Sequence, residues 1–300
     1  MGRGSLARLA LLALLWGSGF LWIKLALRGF TPVQIVLVRL TLGALVLAPI
    51  AFSRGMRLPT GRTVWTHLFV AALVANAIPY TLFGVGERTI GSNVAGVINA
   101  TTPLWTALFA FVAGTDRAVT VRRGLGLAVG FAGTVLIFSP WRSANDIASW
   151  GGLAILGASA SYGISYVYMG KYLTGRGIPA IMLSGCQLAA GALLMLFTLP
   201  FGGLAAPHWR FDAVSALLIL GILGTGVAYV LNYRLIGDEG PTVASTTTYL
   251  LPVVAVVLGA IVVSEPVTMP MVAGMLLVLG GVALVQRRAR QPVAAAALRE

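Results

Sequence analysis

A chain of 300 residues that is 58% hydrophobic and 10% charged, with a mean hydropathy of +0.92, has no balance of surface and core that would keep it in water. A soluble domain carries about 25% charged residues, so the sequence reads as an integral membrane protein with little room for a soluble domain. The net charge of +13 does not point to nucleic acid, because the basic residues sit in short caps between apolar runs, as in the cytoplasmic loops of membrane proteins.

Ten apolar runs follow one another, at about 6–27, 32–52, 64–85, 91–113, 120–139, 149–171, 179–200, 212–235, 241–263 and 269–286. Each approaches the ~20 residues that a spanning helix needs. The first run begins like a signal peptide, with Arg3 and Arg8 before an apolar core. Its core is too long for one and no small-x-small site follows, so it is read as a retained helix carrying Trp16-Gly17-Ser18-Gly19 in mid-span. Thr31-Pro32 is an N-cap followed by proline at the first helical position, and Gly177-Ile178-Pro179 and Glu239-Gly240-Pro241 open later helices in a similar way. The longest breaks, 53–62 and 202–211, are too short to be domains.

Cysteine occurs once, as Cys186 inside an apolar run, which excludes a disulfide framework. His67 and His208 lie near span ends, too far apart in the pattern to suggest a metal site, and nothing in the chain calls for a cofactor. The N-terminus, alternate loops and C-terminus hold 15 of the 21 Lys and Arg residues; the opposite loops hold 5, and Arg39 lies inside a span. By the positive-inside rule both termini are cytoplasmic, with 289–300 a cytoplasmic tail.

The run 91–113 is polar where a lipid-facing helix should not be. Ser92, Gly96, Asn99 and Pro103 share one helical face, and Pro103 interrupts the span. An offset of 149 maps this stripe onto Pro241, Ser245, Thr248 and Pro252, and also Tyr80 onto Tyr229, Gly91 onto Gly240 and Asp116 onto Glu265. Matches of proline, tyrosine and glycine at one offset indicate a tandem duplication. The halves are 1–140 and 149–288. Five spans each is an odd number, so the second half enters from the opposite side. The fold class is an all-α membrane protein of ten transmembrane helices in two inverted five-helix repeats, an arrangement suited to alternating access.

Candidate binding residues come from the polar faces of the paired spans. Asn76, Tyr80 and Phe83 fall on one face of the third span, with Thr225, Tyr229 and Asn232 as counterparts. Trp16, Tyr162 and Tyr166 add aromatic rings near mid-depth, and Asn99, Ser245 and Thr248 add polar groups. Such residues line a cavity or, alternatively, pack helices against each other. Packing is the preferred reading for Gly124, Gly126, Gly130, Gly133, Gly274, Gly280 and Gly281, whose spans lack mid-depth amides and aromatics. Pro103 and Pro252 are expected helix breaks. Arg39 either binds a substrate carboxylate or has a structural role, snorkelling to the surface or capping carbonyls. No Asp or Glu lies mid-span, which argues for a facilitator or exchanger over carboxylate-coupled proton transport.

Leu15-Trp16-Gly17-Ser18-Gly19-Phe20, followed by Lys24, Pro32 and Arg39, resembles the opening of an EamA domain of the drug/metabolite transporter superfamily. The segment 240–285, with Pro252, Glu265 and Gly280-Gly281, resembles the end of that domain; Asp116 stands where family members commonly have Glu. The resemblance covers nearly the whole chain as two units and extends to bacterial exporters of aromatic amino acids. It implies a ten-helix exporter of small metabolites in the bacterial inner membrane, with the substrate in a central cavity lined by spans 1, 3, 4, 6, 8 and 9. The expected substrates are amino acids, aromatic or otherwise apolar, with threonine and methionine as candidates. The partners are then a small-molecule substrate and the lipid bilayer. A channel-like facilitator, or an exporter of other metabolites or drugs, is the alternative. An intramembrane enzyme would need a nucleophile–base pair or metal cluster at depth, which the spans do not offer.

Overall fold

A computed structural model describes residues 1–86, 89, 92–115, 120–139, 149–263 and 267–286. Asp116, Glu265 and the tail 289–300 lie outside these residues, and so do the expectations that rest on them. Among the described residues the chain is helical, with no strand. Among the described residues, eight helical segments are long and apolar enough to cross a membrane. Two others are not: Trp150–Tyr172 is 23 residues long but rich in Gly, Ser and Tyr, and Ala180–Leu196 is apolar but short.

In chain order the helices are α1 (Arg3–Gly17), α2 (Gly19–Ala26), α3 (Pro32–Ser53), α4 (Arg62–Ala72), α5 (Ile78–Gly86), α6 (Ser92–Asn99), α7 (Thr102–Val112), α8 (Val121–Phe138), α9 (Trp150–Tyr172), α10 (Ala180–Leu196), α11 (Phe211–Gly221), α12 (Ala228–Glu239), α13 (Pro241–Ser245), α14 (Thr247–Val263) and α15 (Met269–Gln286). A π-helical turn, Leu73–Ala77, joins α4 to α5, and another, Ile222–Val227, joins α11 to α12. Their starts are 149 positions apart, the offset of the duplication.

Helix starts follow capping chemistry. Thr31 and Gln34 form a reciprocal capping box, and Gln34 also donates to the Gly203 and Ala205 carbonyls, tying the 202–210 loop to the start of α3. Thr120 caps α8 through the Arg123 amide, and Ser149 caps α9 through the Gly152 amide. Gly240 separates α12 from α13 at φ +87° and ψ 165°, a conformation that is nearly glycine-only.

Two of the predicted spans are broken where hydroxyls replace helix hydrogen bonds. Between α6 and α7 the N–H that Pro103 lacks would have met the Asn99 carbonyl; the Thr102 hydroxyl donates to that carbonyl instead, at 2.7 Å. Thr101 does the same to Ile98 at 2.6 Å. Between α13 and α14 the hydroxyls of Ser245, Thr246 and Thr247 donate to Thr242, Val243 and Ala244. Pro103 thus sits at a break as expected. Pro252 does not: it lies inside the continuous α14, and the break falls one and a half turns earlier at Thr246.

The helices pack in exchanged pairs. α3 packs on α10, and α8 packs on α15. α1 packs on α14 and α12, while α9 packs on α7 and α5, so each half places its first span against the third and fourth spans of the other. Glycines set the closest of these approaches. A Cβ on Gly17 would meet the Val254 side chain at 2.6 Å, and one on Gly163 would meet Trp105 at 2.6 Å; Trp105 and Val254 are themselves 149 apart. In the α8–α15 seam a Cβ on Gly281 would fall 2.4 Å from the Gly130 nitrogen, and one on Gly133 would fall 2.6 Å from the Gly274 oxygen. Gly126 joins the same seam. The packing reading holds for these five glycines, while Gly124 and Gly280 face open space.

Candidate functional site

Between the exchanged pairs lies a cavity of about 770 Å³. Its wall reaches from Leu27, Pro32 and Ile35, at the end of the bundle carrying the α2–α3 turn, down to Tyr166, Met169 and Asn232. It does not extend to the opposite end, where Arg8 at the start of α1 meets Asp238 at the end of α12 at 2.5 Å. Most of the wall is apolar, with a few polar groups, the composition of small-molecule sites.

Of the sequence-predicted residues, Trp16, Tyr80, Asn99, Tyr162, Tyr166, Tyr229, Thr248 and Arg39 line this cavity. The aromatic rings meet in edge and tilted pairs: Trp16 with Tyr229 at 6.4 Å, and Phe83 with Tyr162 at 6.2 Å. Asn76, Thr225 and Ser245 are fully buried and lie behind the wall. The displacement has a local cause. A π turn adds a residue to the helix, and each residue rotates the helix by about 100°. Asn76 and Thr225, which lie within the π turns, are thereby turned out of phase with Tyr80 and Tyr229, which follow them. Gly96 is likewise off the expected stripe: a Cβ there would strike the Phe138 ring at 2.7 Å.

The buried polar residues form a connected layer. Asn76 donates to the Tyr229 hydroxyl at 2.5 Å and accepts from Gln187 Nε2 at 3.1 Å. The Tyr233 hydroxyl donates to Gln187 Oε1. The Ser161 hydroxyl donates to the Val74 carbonyl within the first π turn, at 2.7 Å. Nothing in the pattern of its own span singles out Gln187. It stands 148 positions after Arg39, just as Leu188 follows Leu40 and Gly191 follows Gly43, and in both halves this helix reaches a π turn of the other half.

Arg39 does not snorkel. It is 9% exposed, its Nε donates to Thr225 Oγ1 at 2.9 Å, and its guanidinium lies 5.2 Å from the centre of the Tyr80 ring. Among the described residues no carboxylate pairs with it. No group of His, Cys, Asp and Glu able to hold a metal occurs among the described residues. His67 accepts or donates at the Tyr168 hydroxyl, 2.6 Å away, and stacks on Tyr172.

Comparison with known proteins fits this geometry. The sequence profile of the EamA-like transporter family matches twice, at residues 5–139 and 149–287. The chain is 26% identical to the uncharacterized transporter YvbV of Bacillus subtilis (strain 168), over 96% of this chain and 93% of that protein. It is 28% identical to the uncharacterized inner membrane transporter YedA of Escherichia coli (strain K12), over 83% and 79% of the two chains. A solved crystal structure shares the fold with a TM-score of 0.79 at 19% identity, covering 95% of this chain and 98% of that one. With matches to both halves and a membrane-embedded cavity between them, the chain belongs to the EamA-like transporter family and is a multi-pass membrane transporter.

Proposed function

We propose that the protein is a secondary transporter that exports small metabolites, chiefly amino acids with aromatic or other apolar side chains, across the cytoplasmic membrane by alternating access. The observation that carries this reading is the cavity of about 770 Å³, which reaches one end of the bundle and stops short of the other. A site reached from one side only is one of the two access states such a mechanism requires. The exchanged helix pairs support the second: if 1–140 and 149–288 are inverted repeats, swapping their conformations reverses the open side. The charge bias of the loops supports cytoplasmic termini, which makes the α2–α3 end the outer one. Trp16, Tyr80, Tyr162, Tyr166 and Tyr229 receive the apolar part of the substrate, and Asn99 and Thr248 its polar part. Asn76, Thr225 and Ser245 hold that surface from behind.

Counterflow in proteoliposomes tests this. Vesicles loaded with unlabelled L-phenylalanine, L-leucine or L-methionine should accumulate the labelled compound transiently, with saturation. Linear, unsaturated equilibration with no trans-acceleration would instead indicate a pore.

A further inference from the structure

The helices around the cavity meet through two kinds of contact. Within the exchanged pairs, glycines admit no added atom. A Cβ would fall 2.6 Å from Val254 at Gly17, 2.6 Å from Trp105 at Gly163 and 2.7 Å from Ile155 at Gly86. Fits this close make α1, α12 and α14 one body and α5, α7 and α9 another, because packed interiors transmit displacement rather than absorb it.

The seam between the two bodies is looser. At the closed end of the cavity α9 meets α12 and α13. A Cβ on Gly170 would lie 3.3 Å from Ile236 Cγ2 and 3.5 Å from Pro241 Cδ, and one on Gly237 would lie 3.8 Å from Thr174 Cβ. These contacts stand directly beyond the cavity floor. Gly170 follows the floor residue Met169, and Ile236 lies one turn past the floor residue Asn232. Ile236 is buried, and Gly237 reaches the surface. The Thr174 hydroxyl donates to the Gly170 carbonyl at 2.8 Å, so it needs no partner across the seam. Beyond the floor, none of the hydrogen bonds among the described residues joins 170–176 to 234–241.

We propose that this contact, Gly170 on Ile236 and Pro241 with Thr174 on Gly237, is the inner gate: the seam that parts when the cavity opens at its closed end, while the exchanged pairs move as bodies. The assignment rests on the transport reading above and adds which contact must break. Parting it strands no hydrogen bond, and the two glycines offer no side chain that would interlock across it. The outer end has no copy of this seal. Trp16-Gly17 and Tyr162-Gly163 set the first and sixth spans 146 positions apart, so Lys24 and Arg28 stand where the sixth span has Gly170 and Thr174. Cations at those positions exclude a dry apolar closure, since a buried charge needs a partner.

The test fastens the gate and then wedges it. The Cβ atoms of a disulfide lie about 3.8 Å apart, the separation at 174 and 237. The full-length protein with Thr174→Cys, Gly237→Cys and Cys186→Ala should cross-link on mild oxidation with copper phenanthroline, with no fall in its unfolding midpoint. In proteoliposomes the cross-link should lower counterflow of labelled L-phenylalanine, L-leucine or L-methionine at least 10-fold, and a reductant should restore it. The wedge is read without transport. Gly170→Leu forces a branched side chain into the space of Ile236 and Pro241, so an Ile236→Cys reporter beside it should react with an impermeant maleimide at least 5-fold faster than beside Gly170. Gly170→Ala should change that rate less than 2-fold. Should Gly170→Leu fold poorly, the cross-link decides. Counterflow that persists in the oxidised, cross-linked protein, or failure to cross-link in a protein that exchanges substrate when reduced, overturns the gate and leaves transport standing. If the reduced protein exchanges none of the three amino acids, the transport reading fails and the labelling rates decide: a fast reporter beside Gly170→Leu supports a seam that opens here, and an unchanged one overturns it.

Discussion

Gln187 donates its side-chain N–H to the carboxamide oxygen of Asn76 at 3.1 Å, with both residues fully buried. This is the counterpart of the Arg39–Thr225 bond: in each half a long polar side chain of the second span reaches the π turn of the other half. The two contacts differ in one respect. Gln187 is consumed by the Asn76 and Tyr233 bonds and lies away from the cavity, while Arg39 is part of the cavity wall.

The Asn76–Gln187 bond should therefore be structural. Hydrogen bonds between membrane helices contribute about 0.6–2 kcal/mol. A double-mutant cycle of Asn76→Ala and Gln187→Ala, followed by thermal unfolding in detergent, should give a coupling in that range. Strictly additive effects would show that the bond contributes nothing.

Cysteine scanning tests which residues face the cavity. Cys186 is buried, and Cys186→Ala provides a background free of reactive thiols. Cysteines replacing Tyr80, Asn99, Tyr162 and Thr248 should react with water-soluble thiol reagents and be protected by substrate. Cysteines replacing Asn76, Thr225 and Ser245 should stay unreactive. Labelling of the second set with the first set silent would reverse the phase assigned to the π turns.

The α8–α15 seam should tolerate no added methyl group. Gly281→Ala places a Cβ 2.4 Å from the Gly130 backbone nitrogen, which can only move by separating the helices. Overpacking of this kind costs about 1–3 kcal/mol. Gly280→Ala, one position along and facing open space, should be neutral or stabilising by up to about 1 kcal/mol through helix propensity. Unfolding midpoints of the two variants should separate accordingly.

A reporter fused after Gln286 should be active in the cytoplasm, and one inserted at Gly203 should be active outside. The 15-to-5 distribution of basic residues motivates the assignment. Reversed activities would place the open side of the cavity in the cytoplasm and overturn the assigned topology.

The apolar runs, the 149-residue duplication and the single mid-span charge were all legible in the chain, because hydropathy, repeat spacing and the presence of an arginine are properties of consecutive residues. The helix starts at Thr31, Thr120 and Ser149 were legible for the same reason, since a cap acts on its own first turn. Which residues face the cavity was decided only by the tertiary structure. An ideal helix puts Asn76, Tyr80 and Phe83 on one face. The π turns, one of which has its Val74 carbonyl capped by Ser161 from α9, rotate Asn76 and Thr225 into the seam between halves and leave Tyr80, Tyr229 and Asn232 on the wall. Pro252 shows the same limit. It reads as a helix break, yet helix continues through it, while three consecutive hydroxyls upstream make the break instead. Gln187 was hidden because its partner, Asn76, lies 111 residues away, and only the exchange of helices between halves brings the two together.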